Sequence, residues 1–149
     1  MTDLRSETLE ALRRYAVRYQ ESSHHFATWM RLPTTDGVAL GEILWAENAG
    51  DPLSAARLRL RIGLTSGATN ALVNRLEERG LVRRSRESTD RRIVSLRATE
   101  TARRESSGFL GSRAEELDTA LAEYDPATLA TIRDFLDRFA DVLPVGEPT

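Results

Sequence analysis

The stretch Leu64–Leu96, LTSGATNALVNRLEERGLVRRSRESTDRRIVSL, holds the two features that decide the fold. It opens on Thr65 and Ser66, either of which suits a helix N-cap, and its middle ends at Gly80, a residue suited to the left-handed backbone that closes helices. A helix is expected between them, from Gly67 to Arg79. Two strand-like segments follow, Leu81–Arg86 and Arg91–Leu96, around the polar turn Glu87-Ser88-Thr89-Asp90. Just upstream, Ser54 predicts the cap of a short helix carrying Ala55, Ala56, Leu58 and Ile62, which Gly63 closes. Two short helices joined by a tight glycine turn and followed at once by a hairpin have the order of a winged helix.

The flanks are helical. Between Leu4 and Arg31 there is no Gly or Pro, and Leu9, Leu12, Ala16, Tyr19, Phe26 and Met30 recur at helical spacing. Leu32-Pro33-Thr34-Thr35 ends that helix and offers a hydroxyl N-cap to a second one through Val38, Leu40, Ile43, Leu44 and Trp45, stopped by Asn48–Pro52. Beyond Arg97 one long helix is expected, with a bend near Gly108 or Gly111, then a last helix capped by Asp125-Pro126 and striped with Leu129, Ile132, Phe135, Leu136, Phe139 and Leu143. Val145–Thr149 reads as a frayed tail.

The expected fold is mainly α with a small β-hairpin: a winged helix-turn-helix at 33–97, flanked by an N-terminal helix at 1–32 and C-terminal helices at 98–149. The flanking helices carry more apolar surface than a small winged helix needs, so they are expected to form a two-fold homodimer; packing into a bundle within one chain is the alternative.

Charge narrows the partner. The chain has 21 arginines, no lysine and a formal net charge of -2. Residues 51–97 hold eleven Arg against five acids, a balance of +6, whereas 1–50 come to -2 and 98–149 to -6. A basic island between acidic flanks is the electrostatic footprint of one face meeting a polyanion. With no cysteine, disulfides and thiolate metal sites are excluded. No apolar run approaches membrane-spanning length and the N-terminus shows no apolar signal region, so a cytoplasmic protein without a membrane role is expected. No phosphate loop, nucleophile elbow or metalloprotease motif is present, so no enzymatic activity and no cofactor are expected. His24 and His25 are neighbours on one helix and point about 100° apart, a poor arrangement for one metal. Tyr15, Tyr19, Trp29 and Trp45 could line a ligand pocket, but aromatics at helical spacing more often belong to cores and interfaces, so no pocket residues are assigned.

On the helix after Thr65, Ala68, Leu72 and Leu76 are expected to face the core, leaving Gly67, Asn70 and Asn74 on a small, uncharged outer face. Such a face suits a major groove, where Asn can pair with adenine through two hydrogen bonds. Asn70 and Asn74 are therefore the candidates for base readout, and Thr65 and Ser66 at the helix N-terminus for phosphate. On the hairpin, Arg84, Arg86, Arg91 and Arg92 are the candidates for backbone or minor-groove contact, and Asp90 is expected to pair with one of them and fix the tip. A salt-bridged hairpin without a ligand is the competing account, as is a winged helix used for protein–protein interaction without DNA binding.

Arg75-Leu76-Glu77, Gly80-Leu81-Val82 and Asp90-Arg91-Arg92, at their spacing and between these flanking helices, resemble the MarR family of winged-helix transcriptional regulators. The resemblance implies a homodimeric double-stranded-DNA-binding regulator, often released by a small aromatic or apolar effector bound between the dimer helices and the winged domain. Two departures stand out: Asn70-Ala71 where the family commonly has Thr-Arg, and Ala98-Thr99-Glu100-Thr101-Ala102 where it commonly has Leu-Thr-x-x-Gly. Arg57, Arg59 and Arg61 are expected to supply the phosphate contact that an arginine after Asn70 would make.

Overall fold

A computed structural model of the chain describes residues 3–145. In chain order its elements are α1 (Leu4–Trp29), α2 (Thr34–Asn48), α3 (Ala55–Ile62), α4 (Ser66–Glu78), β1 (Val82–Ser85), β2 (Ser95–Ala98), α5 (Glu100–Leu121) and α6 (Pro126–Ala140). The fold is mainly helical with one small antiparallel hairpin, a winged helix-turn-helix flanked by helices. Two compact units divide between Glu105 and Ser106.

In the first unit α2 is the central rod, buried at Asp36, Gly37, Ala39, Leu40, Ile43, Leu44 and Ala46. Its entry differs from the sequence expectation. The N-cap is Pro33, with no side-chain cap bond, and Thr34 already lies inside the helix. The chain turns sharply out of α1 through Arg31, whose φ of 56° is left-handed, so the fixed φ of Pro33 rather than a hydroxyl sets the entry, and Gly37 N donates to Pro33 O at 3.0 Å. Gly37 serves a close helix crossing: a Cβ there would collide with the backbone and methyl of Ala27 on α1.

The two short helices form as their punctuation predicts. Ser54 accepts from Arg57 N and caps α3, which Gly63 closes at φ 67°. Thr65 accepts from Ala68 N and caps α4, so the helix begins at Ser66. Gly80, at φ 71°, follows its end. Leu40, Ile43, Leu53, Leu58, Leu72, Leu76 and Leu96 make a fully buried apolar core shared by α2, α3, α4 and the hairpin.

The hairpin's second strand sits further along the chain than expected. Val82 pairs with Ala98, Arg83 with Arg97, Arg84 with Leu96 and Ser85 with Ser95, so Arg91 and Arg92 lie in the tip rather than on a strand. The reason is burial: Leu96 and Ala98 alternate inward, and the period of two therefore runs past Leu96, whereas Arg91 to Ile93 are exposed. Leu96 N also donates to Leu53 O at 2.7 Å, and Ser54 bridges Ser95, which gives β2 a second neighbour from the loop before α3. At the base of the hairpin the Thr99 hydroxyl donates to Gly80 O at 2.6 Å and accepts from Ala102 N at 3.1 Å, joining the end of α4 to the start of α5.

α5 continues through Gly108 and Gly111 without a break in its helical run. In the second unit Arg113 lies 4.2 Å over the Phe109 ring. Asp125 caps α6 by accepting from Thr128 N at 2.7 Å, with Pro126 in the first turn. The Phe135 and Phe139 rings are 4.4 Å apart, yet no residue of α6 is buried. The tail expected from Val145 onward lies, beyond Val145, outside the described residues.

The Gly37 crossing yields a stability test. Alanine gains about 1 kcal/mol of helix propensity over glycine, but backbone cannot move aside as a flexible side chain can. Gly37→Ala should therefore lower the urea unfolding free energy by about 1–2 kcal/mol net. Adding Ala27→Gly should recover part of it.

Candidate nucleic-acid interface

The inward stripe of α4 is Thr69, Leu72, Val73 and Leu76, all buried. Ala68, expected in that stripe, is exposed instead. The stripe is turned by one residue because Thr69 can be buried: its hydroxyl donates to Thr65 O at 2.8 Å and so carries no unpaired polar group inward. Over its N-terminal part the outward face carries Ser66, Gly67, Ala68, Asn70, Ala71 and Asn74, all exposed and uncharged, while Arg75 and Glu78 add exposed charge toward the C-terminal end. At Gly67 a Cβ would meet nothing within 4 Å, so nothing in the fold demands glycine there.

Arginines fix this helix in place. Arg75 donates from Nε to Asp36 Oδ2 at 3.0 Å and from Nη2 to Asp36 Oδ1 at 2.8 Å, a two-pronged bond to a carboxylate only 3 % exposed. Arg79 Nη1 donates to the carbonyl of the left-handed Arg31 at 3.2 Å. Arg84, from β1, donates through Nη1 to Asn74 Oδ1 at 3.0 Å and to Glu77 Oε1. Arg84 therefore turns inward onto α4 instead of lying open with the rest of the wing. Asp36 was missed in the sequence, where an acid near a helix start reads as a solvated first-turn charge.

At the wing tip Asp90 accepts from Arg92 three times, from N at 3.0 Å, Nε at 3.1 Å and Nη2 at 3.0 Å. Its carboxyl is held below the ordinary range first by the Arg92 side chain and then by the Arg92 backbone. Arg92 remains 90 % exposed, so the bond stiffens its position without covering it. Arg86 Nη1 donates to Arg91 O at 3.1 Å, and the Arg91 side chain is exposed and donates to nothing among the described residues. Arg83, on β1, is exposed as well. At the wing's root Arg97 joins Glu87, at 2.5 and 2.8 Å, to Glu47, at 3.3 Å, and Glu47 also accepts from Arg103 at 2.5 Å and from Ala98 N at 3.2 Å.

Two arginines expected to reach phosphate from α3 are engaged within the chain. Arg57 forms a two-pronged pair with Asp51 at 3.0 and 2.8 Å, and Arg61 donates to Glu42 at 3.0 Å. On α1, His24 and His25 are exposed, while Tyr15 and Tyr19 stand with ring centroids 6.4 Å apart. Trp29 Nε1 donates to Glu105 O at 3.1 Å, and Trp45 is exposed.

Removing one partner of a buried charge pair leaves the other desolvated, which costs about 3–5 kcal/mol for a fully buried pair. Arg75 is half exposed and water can follow its loss, so Arg75→Met should cost about 2–3 kcal/mol in urea unfolding. Adding Asp36→Asn should recover much of that. The Glu87 carboxyl is pulled from 4.5 to about 2, chiefly by the Arg97 guanidinium. Its pKa is lower folded than unfolded, so its contribution to stability is complete above pH 4.5 and fades as pH falls toward about 2. An NMR titration of Glu87 should show that low midpoint, and Glu87→Gln should flatten the acid limb of the stability profile.

A family model described as the MarR family matches residues 42–93. An uncharacterized HTH-type transcriptional regulator of Bacillus subtilis, YcgE, is 29% identical over 96 residues, which cover 64% of this chain and 62% of that protein, a little under two thirds of its length. The transcriptional regulator BldR from Sulfolobus solfataricus superposes with a TM-score of 0.54 at 28% identity, covering 92% of this chain and 99% of that one. The S. aureus MepR–DNA complex superposes with a TM-score of 0.55 at 15% identity, covering 91% and 96%. The matched segment, 52 of the chain's 149 residues, runs from Glu42 within α2 through both short helices and β1 to Ile93 at the wing tip, and over it the chain is similar to the MarR family.

Proposed function

We propose that the protein is a homodimeric transcriptional regulator that binds double-stranded DNA sequence-specifically, a ligand-responsive repressor acting in the cytoplasm on a palindromic operator. The observation that carries this is the pairing of two unlike surfaces in one unit: the neutral face of Ser66, Gly67, Asn70 and Asn74 beside a wing bearing exposed Arg83, Arg86, Arg91 and Arg92. A neutral face of small groups can enter a major groove about 12 Å wide and meet base edges. Guanidinium groups on a projecting ribbon supply the sequence-independent attraction to phosphate.

In this proposal residues 33–97 read DNA, and 1–32 with 98–149 hold two copies together. Asn70 and Asn74 contact bases. Thr65 and Ser66 sit at the N-terminus of α4, where backbone N–H groups favour a phosphate. Arg86, Arg91 and Arg92 contact the backbone or minor groove with Asp90 as their brace, while Arg84 acts from behind through Asn74. Exposed apolar residues support a dimer: Leu9, Tyr15 and Val17 on α1, and Ile132 and Leu136 on α6, in each unit separately. Two readers related by a two-fold axis match half-sites about 34 Å apart or a multiple of that. The solved MepR–DNA complex shares this fold. A small aromatic effector is the ligand class proposed to release the DNA. No helix among the described residues is long and apolar enough to cross a membrane.

The test is a titration against duplex covering the protein's own upstream region at several salt concentrations, with sedimentation to fix the stoichiometry. Log affinity should fall linearly with log salt. Arg91→Ala should weaken specific and nonspecific duplexes alike and reduce the slope by about 1. Asn74→Ala should instead relax sequence preference at one position per half-site. A flat salt profile would reject DNA binding in favour of a protein partner.

A further inference from the structure

Asn74 and Glu77 lie three residues apart on α4 and so share one ridge of the helix. Arg84 reaches that ridge from β1 with a single nitrogen, Nη1, which donates to Asn74 Oδ1 at 3.0 Å and to the Glu77 carboxylate. A guanidinium has only donors, so the amide atom turned toward it must be the oxygen. Asn74 is exposed, and its Nδ2 group has no hydrogen-bond partner among the described residues.

We propose that Arg84 is a specificity-determining positioning residue that presents Asn74 to DNA as a hydrogen-bond donor, so that Asn74 selects guanine over adenine. This rests on α4 being the base-reading helix. A free asparagine pairs with adenine by giving Nδ2–H to N7 and accepting N6–H at Oδ1. Oδ1 keeps a second lone pair, but Arg84 holds that oxygen turned toward β1 and away from the base, so the adenine N6 donor would meet no acceptor on entering the interface, a desolvation penalty without return. Guanine offers O6 and N7, both acceptors, which the two Nδ2 hydrogens can serve. Glu77 completes the device. Its negative charge keeps the Arg84 guanidinium on the helix instead of on a nearby phosphate, and Arg84 and Glu77 are each about one third exposed, so the pair is partly shielded from water.

The test is selection of binding sites from a duplex pool randomised across both half-sites, for the full-length protein and for Asn74→Ala, Arg84→Met, Arg84→Lys and Glu77→Gln. Asn74→Ala identifies the position that Asn74 reads. There the unmodified protein should prefer guanine over adenine by about tenfold. Arg84→Met, which frees Oδ1, should shift the preference to adenine. Arg84→Lys is also a pure donor and should retain guanine, a rescue that a merely structural contact would not require. Glu77→Gln should narrow the guanine preference. An adenine preference in the unmodified protein overturns the proposal without needing any Arg84 variant to fold. So does an unchanged guanine preference in Arg84→Met of intact thermal melting. Failure of the unmodified protein to select any duplex removes the DNA reading beneath it, an outcome distinct from both.

Discussion

The bond between Asp36 and Arg75 is the constraint on which the arrangement of this winged helix depends. A carboxylate this deeply buried is tolerable only with a charged partner of matched geometry, and the two-pronged guanidinium bond provides one. Apolar packing selects the stripe of Thr69, Leu72, Val73 and Leu76 for the core, but the hydrophobic effect itself has no direction. The two-pronged bond does have direction. It fixes the rotation of α4 about its own axis, and with it which residues point away from the core.

Two further arginine contacts tie the same helix to its surroundings: Arg79, at its own C-terminal cap, donates to the carbonyl of Arg31, and Arg84 reaches Asn74 and Glu77 from β1. Three arginines thus serve the placement of one helix whose N-terminal stretch, Ser66 to Asn74, carries no charge. Elsewhere in the basic island Arg57, Arg61 and Arg97 are spent on Asp51, Glu42 and Glu87. The formal charge of the island overstates what is displayed to a partner. The display is concentrated at the hairpin, where Asp90 braces Arg92 while leaving it open to solvent.

This division explains what was legible in the sequence. Local chemistry was readable because it acts over a few residues: the caps at Ser54, Thr65 and Asp125, the left-handed glycines at 63 and 80, and the order of helix, helix and hairpin. Contacts across long separations were not. Nothing near Asp36 announces Arg75, 39 residues later, and the inward turn of Arg84 depends on the ridge of Asn74 and Glu77. The register of the second strand was misplaced because Arg91-Arg92-Ile93-Val94 has strand-like composition, while pairing follows the burial of Leu96 and Ala98 and the loop carbonyl of Leu53. The exposure of Ala68 was hidden by Thr69, a polar residue that joins the core by bonding back to its own helix.

β2 is flanked on one side by β1 and on the other by the Leu53–Ser54 loop, so the ribbon's open edge is β1, Val82–Ser85. Unpaired backbone along such an edge is a template onto which another copy's strand could zip. Here the edge is four residues long and half arginine. Docking a second such edge would bring the exposed Arg83 guanidinium of each copy toward the other, where like charges repel. The charge on this short edge thus works against ribbons of separate copies adding side by side into a sheet.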